Sequence, residues 1–179
     1  MNPIEAEIRQ WLDAVVIGLN LCPFAARPVR AGRLRIHVSA ARTELELLTE
    51  LQFELQRLED STADELETTI IALPQMLAEF ADYNDFLGQV DELLEQFEWA
   101  GDYQVASFHP QYQFAGTAPD DAENLTNRAP YPLLHLLRED SVEAALDSYP
   151  DADRIGEDNI RKMRELNPLQ RRQLFGYLK

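Results

Sequence analysis

"TTIIAL", residues 68–73, is the stretch on which the fold turns. It is short, β-branched and apolar, and Pro74 closes it. Such a run is expected of a central strand, because a strand covered on both faces has no need of apolar/polar alternation. Two covered faces require helices, and the flanking sequence offers them. Upstream, Thr43 to Leu58 opens with the capping-box pair Thr43 and Glu46 and repeats Leu47, Leu48, Leu51, Leu55 and Leu58 at helical spacing. Downstream, Tyr83, Phe86, Leu87, Val90, Leu94 and Phe97 mark a long helix, and Gly101 follows its end.

Further strands lie beyond those helices. "RLRIHV", residues 33–38, sets Leu34, Ile36 and Val38 on one face and Arg33, Arg35 and His37 on the other, the pattern of an edge strand with one polar face. His37 is therefore read as a surface residue. "YQVASF", residues 103–108, is a third strand, and "LLHLLR", residues 133–138, fits strand or helix and is read as a strand. The apolar residues between Ile4 and Leu19 predict an amphipathic helix that stops at Asn20. Asp140 or Ser141 is placed to cap another helix, residues 151–166 look helical, and residues 168–179 read as a peripheral C-terminal helix or tail. The expected fold is α/β: a small, mostly parallel or mixed sheet of three to four strands covered by helices, in a single domain over residues 1–179. Right-handed crossovers make the first three strands parallel if they are neighbours.

Charge is distributed unevenly. The chain has 179 residues and formal net charge -16, which disfavours nucleic-acid binding. Residues 44–102 hold 17 acids and one basic residue, Arg57. Between Ala14 and Thr43 there are five arginines and no acid, and the only cysteine, Cys22, lies inside that basic stretch. A lone cysteine forms no internal disulfide, the N-terminus has no signal-peptide pattern, and no apolar run reaches the roughly 18 residues of a membrane span, so a cytoplasmic protein away from the membrane is expected.

Cys22 precedes Pro23, and two readings are open. If "PFAA" begins a short helical turn, Cys22 caps it, and the turn's N–H groups and nearby guanidiniums favour a reactive thiolate. If Cys22 instead ends the first helix, it is an inert apolar residue. His109 directly follows the third strand, at a carboxyl end of the sheet, where ligands gather in α/β folds. It is the preferred acid/base candidate. The long segment 109–132 has the length of a binding loop. Within "NLTNRAPYPLLH", Asn127, Arg128, Tyr131 and His135 are candidate binding residues, together with Arg27 and Arg35 upstream. Arg128 reads equally as an anion clamp or as a structural tie to backbone carbonyls. No glycine-rich cradle occurs, so no cofactor is predicted. Cys22, His109 and His135 form a three-ligand metal set only if distant segments meet, since no CxxC, HxxxH or HExxH spacing is present.

"GLNLCPFA", "FHPQYQF" and "NRAPYPLLHLLRE" together resemble an uncharacterised bacterial family, domain of unknown function 1415, over nearly the whole chain. The resemblance implies a bacterial cytosolic protein and transfers no catalytic residue. Three readings follow from the residues. The first is an enzyme acting on a small anionic metabolite, with Cys22 as nucleophile or thiol acid/base, His109 as its proton-transfer partner and Arg27, Arg35 or Arg128 as clamp. The second is a non-catalytic module that binds a small anion, a protein partner or a second copy of the chain. The third is a metal-binding protein using Cys22, His109 and His135.

Overall fold

The computed structural model describes residues 2–178. "TTIIAL" supplies β2 (Thr68–Ala72), every residue of which is buried. Its neighbours are β1 (Leu34–Val38), paired in parallel with Leu34 opposite Thr68, and β4 (Leu133–Arg138), paired antiparallel with His135 opposite Ile70. β3 (Tyr103–Phe108) adds antiparallel to β4, with Ala106 opposite His135. The four-stranded order is β1-β2-β4-β3. "LLHLLR" is thus a strand hydrogen-bonded on both sides, which is why it holds leucines on both faces. The first three strands run in one direction, but β4 intervenes between β2 and β3, so only β1 and β2 form a parallel pair and the sheet is mixed.

The helices cover the sheet from both sides. α3 (Glu44–Glu59) has the capping box expected at Thr43 and Glu46. With α4 (Phe80–Gln96) it encloses one core, in which Leu47, Leu51, Leu55, Tyr83 and Phe86 pack on Ile71, Leu134 and Leu136. Each fully buried leucine of this kind contributes roughly 1.5–3 kcal/mol. The acidic segment therefore places both of its helices on one face of the sheet. β1's alternate face, read from its pattern as polar, is roofed by α3 rather than open to water: Arg35 makes a forked contact with Glu54, at 2.7 and 3.1 Å, and His37 Nε2 lies 2.9 Å from Glu50.

The second core lies on the opposite face. α1 (Pro3–Trp11), N-capped by Asn2, runs into a wider π-type turn (Leu12–Ile17), and together they set Ile8, Trp11, Leu12 and Val15 against Leu34, Ile36, Ile70 and Leu133. A Cβ at Gly18 would run into the Ala14 carbonyl oxygen, so the turn accepts only glycine there without shifting. Asn20, with φ of 50°, reverses the chain where a helix stop is predicted. α2 (Ala26–Arg30) follows.

After β4 the chain enters α5 (Glu139–Asp147) directly, with Arg138 at the N-cap position, so neither Asp140 nor Ser141 serves as the cap. α6 (Ile155–Glu165) and α7 (Pro168–Leu174) complete the chain, and Met163 and Phe175 are buried in the second core. The C-terminal segment is accordingly helical at its start and anchored by its aromatic end.

Candidate functional site

On the face opposite α3 and α4, the N-terminal helical segment covers β1 and part of β2 and β4, and the chain reverses at Asn20. The remaining part of that face, along β4 and β3 with the first residue of β2, is left as the floor of a cavity of about 440 Å³. Thr68, His135, Leu137, Ala106 and Phe108 form the floor. Cys22 to Pro28 build one wall, and Ser141, Val142 and Ala145 of α5, followed by Tyr149, build the other. Phe24 and Tyr149 join the walls through an edge-to-face contact at 5.6 Å. No residue of α5 is fully buried, because the inward side of this helix lines the cavity instead of packing on the sheet.

The cavity runs along β3 from Gln104 to Phe108 on the sheet face. It is not the crevice beyond the carboxyl ends of the strands. That difference separates the sequence candidates. Cys22, Arg27 and His135 come together here, from segments more than a hundred residues apart. His109, Arg35, Asn127, Arg128 and Tyr131 do not line it.

Cys22 heads a turn in which the Ala25 N–H bonds to its carbonyl oxygen at 3.2 Å. Ala25 rather than Cys22 is the N-cap of α2, and the Phe24 and Ala25 N–H groups near the sulfur act to lower the thiol's pKa. Burial nevertheless pushes the thiol up and outweighs those two donors. The thiol is therefore protonated at neutral pH.

His135 sits at the centre of the floor, its Nε2 2.7 Å from Thr68 Oγ1. Burial holds its pKa down to about 4, so the ring is neutral. Arg27 is exposed on the wall, with no carboxylate within ion-pair distance among the described residues. Arg138 also lines the cavity, but its guanidinium is engaged elsewhere: it donates to the Leu58, Ser61 and Leu66 carbonyl oxygens and so closes the C-terminal end of α3.

The remaining candidates lie outside the cleft and are bonded within the fold. His109 is 0 % exposed, packed against Phe80 and Tyr83, with Nε2 3.0 Å from the Leu77 carbonyl oxygen and Nδ1 accepting from the Gln111 N–H. Burial lowers its pKa. Asn127 donates to the Ser107 carbonyl oxygen at 3.1 Å. Arg128 donates to the carbonyl oxygens of Tyr112 and Pro119, which is the structural tie of its two sequence readings. Tyr131 donates to Glu7 at 2.8 Å and is pushed up to about 12 by burial and that carboxylate. Segment 109–132 is pinned on buried Asn124, which accepts from the Phe114 N–H and donates to the Ala118 carbonyl oxygen. With His109 held away from Cys22 and His135, the metal triad is not assembled. Among the described residues no three His, Cys, Asp or Glu side chains are grouped as a metal would need.

Thr68, Phe108, Val142 and Tyr149 are cavity residues that linear pattern did not single out. Thr68 alone had a signal, as the polar first residue of an otherwise apolar buried strand.

Fold and cavity define a small mixed α/β protein with a partly enclosed, aromatic-lined cleft on one sheet face. The chain belongs to the family described as protein of unknown function (DUF1415), whose model matches residues 3–173. No curated protein and no solved structure matches it. None of the helices described is long and apolar enough to cross a membrane.

Proposed function

We propose that the protein binds a small anionic molecule with an apolar body in the cleft between Cys22–Pro28 and α5. The observation that carries this reading is the cavity itself. It combines apolar walls, a neutral imidazole on its floor and an arginine without a carboxylate partner at its edge, and its one lining carboxylate, Glu67, is paired with Arg33 at 3.6 Å. Its volume of about 440 Å³ lies within the range of roughly 300–1,000 Å³ of small-molecule sites. The raised thiol and the separation of Cys22 from His109 favour binding over thiolate catalysis. Cys22 then acts as a compact wall group.

A thermal-shift panel of aliphatic and aromatic carboxylates, with phosphate and sulfate as controls, tests the reading. A carboxylate at a hundred times its Kd adds about 2.7 kcal/mol, or about 5–10 °C in Tm. Ala145→Trp, which fills the cleft from α5, should abolish that shift. Arg27→Ala should weaken binding roughly three- to tenfold, as for one exposed charge contact. A silent panel, or a shift that survives Ala145→Trp, would refute a site in this cleft.

A further inference from the structure

Among the described residues, one ring nitrogen of His135 has a hydrogen-bond partner and the other has none. Thr68 Oγ1 lies 2.7 Å from His135 Nε2 and 2.7 Å from the Leu136 carbonyl oxygen. A hydroxyl has one proton and a carbonyl only accepts, so that proton belongs to the bond with Leu136. Thr68 must then accept from His135, which fixes the imidazole proton on Nε2. With the ring neutral, Nδ1 carries a free lone pair. No protein donor among the described residues reaches Nδ1, and the atom is not among the buried, unpartnered ones shut off from solvent. His135 lines the floor of the cleft, so a ligand seated there is the group that can reach this lone pair.

We infer that the cleft selects an apolar-bodied anion that also carries an N–H or O–H donor, which donates to His135 Nδ1 while the charged group lies against Arg27. This inference rests on the reading of the cleft as a small-molecule site. Phe24 and Tyr149 on the walls and Phe108 on the floor supply flat apolar surfaces for a ring. Carboxylates bearing a phenol or an indole N–H have all three features. An analogue with a methylated donor sets an acceptor or a methyl group against a lone pair in a water-poor site, and sites built around a hydrogen bond discriminate sharply against ligands that lack it. Thr68 acts as a positioning residue, since its hydroxyl decides which nitrogen holds the proton.

Two measurements test this. Nitrogen-15 NMR of histidine-labelled protein at pH 7 should show His135 protonated on Nε2. Titrations with 4-hydroxyphenylacetate and indole-3-acetate against 4-methoxyphenylacetate and 1-methylindole-3-acetate should favour each donor-bearing acid by about tenfold or more. Thr68→Val frees the ring to carry its proton on Nδ1, and should reduce that preference to roughly threefold or less while the NMR pattern moves to the other tautomer. A proton found on Nδ1 in the unaltered protein, or equal binding of the methylated and unmethylated acids, would overturn the donor requirement and leave the small-molecule reading standing. Failure of all four acids also overturns it; the wider carboxylate panel then decides whether the small-molecule reading falls as well.

Discussion

His135 carries a stability signature as well as a chemical one. Its folded pKa of about 4 lies below the ordinary histidine value of 6.5. Between those values the unfolded chain binds a proton that the native protein refuses, so stability falls as pH drops from about 6.5 to 4 and is unaffected by this group above that window. The shift corresponds to a loss of up to about 3 kcal/mol. Urea unfolding at pH 7 and pH 4.5 should show a steeper loss for the unaltered protein than for His135→Gln. Parallel losses would place the neutral histidine elsewhere. The turn geometry at Cys22 was legible from Cys-Pro, but the sign of the thiol shift depends on burial by distant segments, which no local pattern contains.

Among the elements, α4 ends in a way that can be improved. The Trp99 N–H bonds to the Leu94 carbonyl oxygen at 2.8 Å, and Glu98 just before it holds φ of 58°. This is a Schellman ending with glutamate where glycine is preferred. The glutamate bears the cost of a left-handed residue and sets a negative charge at the negative end of the helix dipole. Glu98→Gly should stabilise the protein by about 1 kcal/mol, read as a raised urea midpoint with unchanged slope. A lowered midpoint would mean that the Glu98 side chain has a compensating contact. Most elements were legible because their signals are local: the capping box of α3, the leucine stripes, and the β-branched run of β2. The start of α5 was not, because β4 passes into it without a capping residue, and the width of the π-type turn after Trp11 has no counterpart in the apolar spacing.

Over the whole molecule the charge is lopsided. Residues 44–102 carry 17 acids against Arg57, and their two helices share one face of the sheet. Like charges on one face repel, and salt screens them. Raising sodium chloride from 20 to 500 mM should raise Tm by about 3 °C, equivalent to about 1 kcal/mol for a chain of this size. A fall in Tm would show that ion pairs such as Arg35–Glu54 outweigh the repulsion.

The residue order by itself determined the α/β class, the buried strand at its centre, the helices around it and the chemical types gathered near Cys22. Periodicity and capping are short-range properties, so one dimension contains them. Tertiary structure alone decided that β4 enters between β2 and β3, that His109 and Arg128 bond to backbone groups away from the cleft, and that Cys22, Arg27 and His135 share a cleft. Those outcomes depend on strand register and on which surfaces a distant helix leaves uncovered. Register and coverage are set by packing among segments remote in sequence.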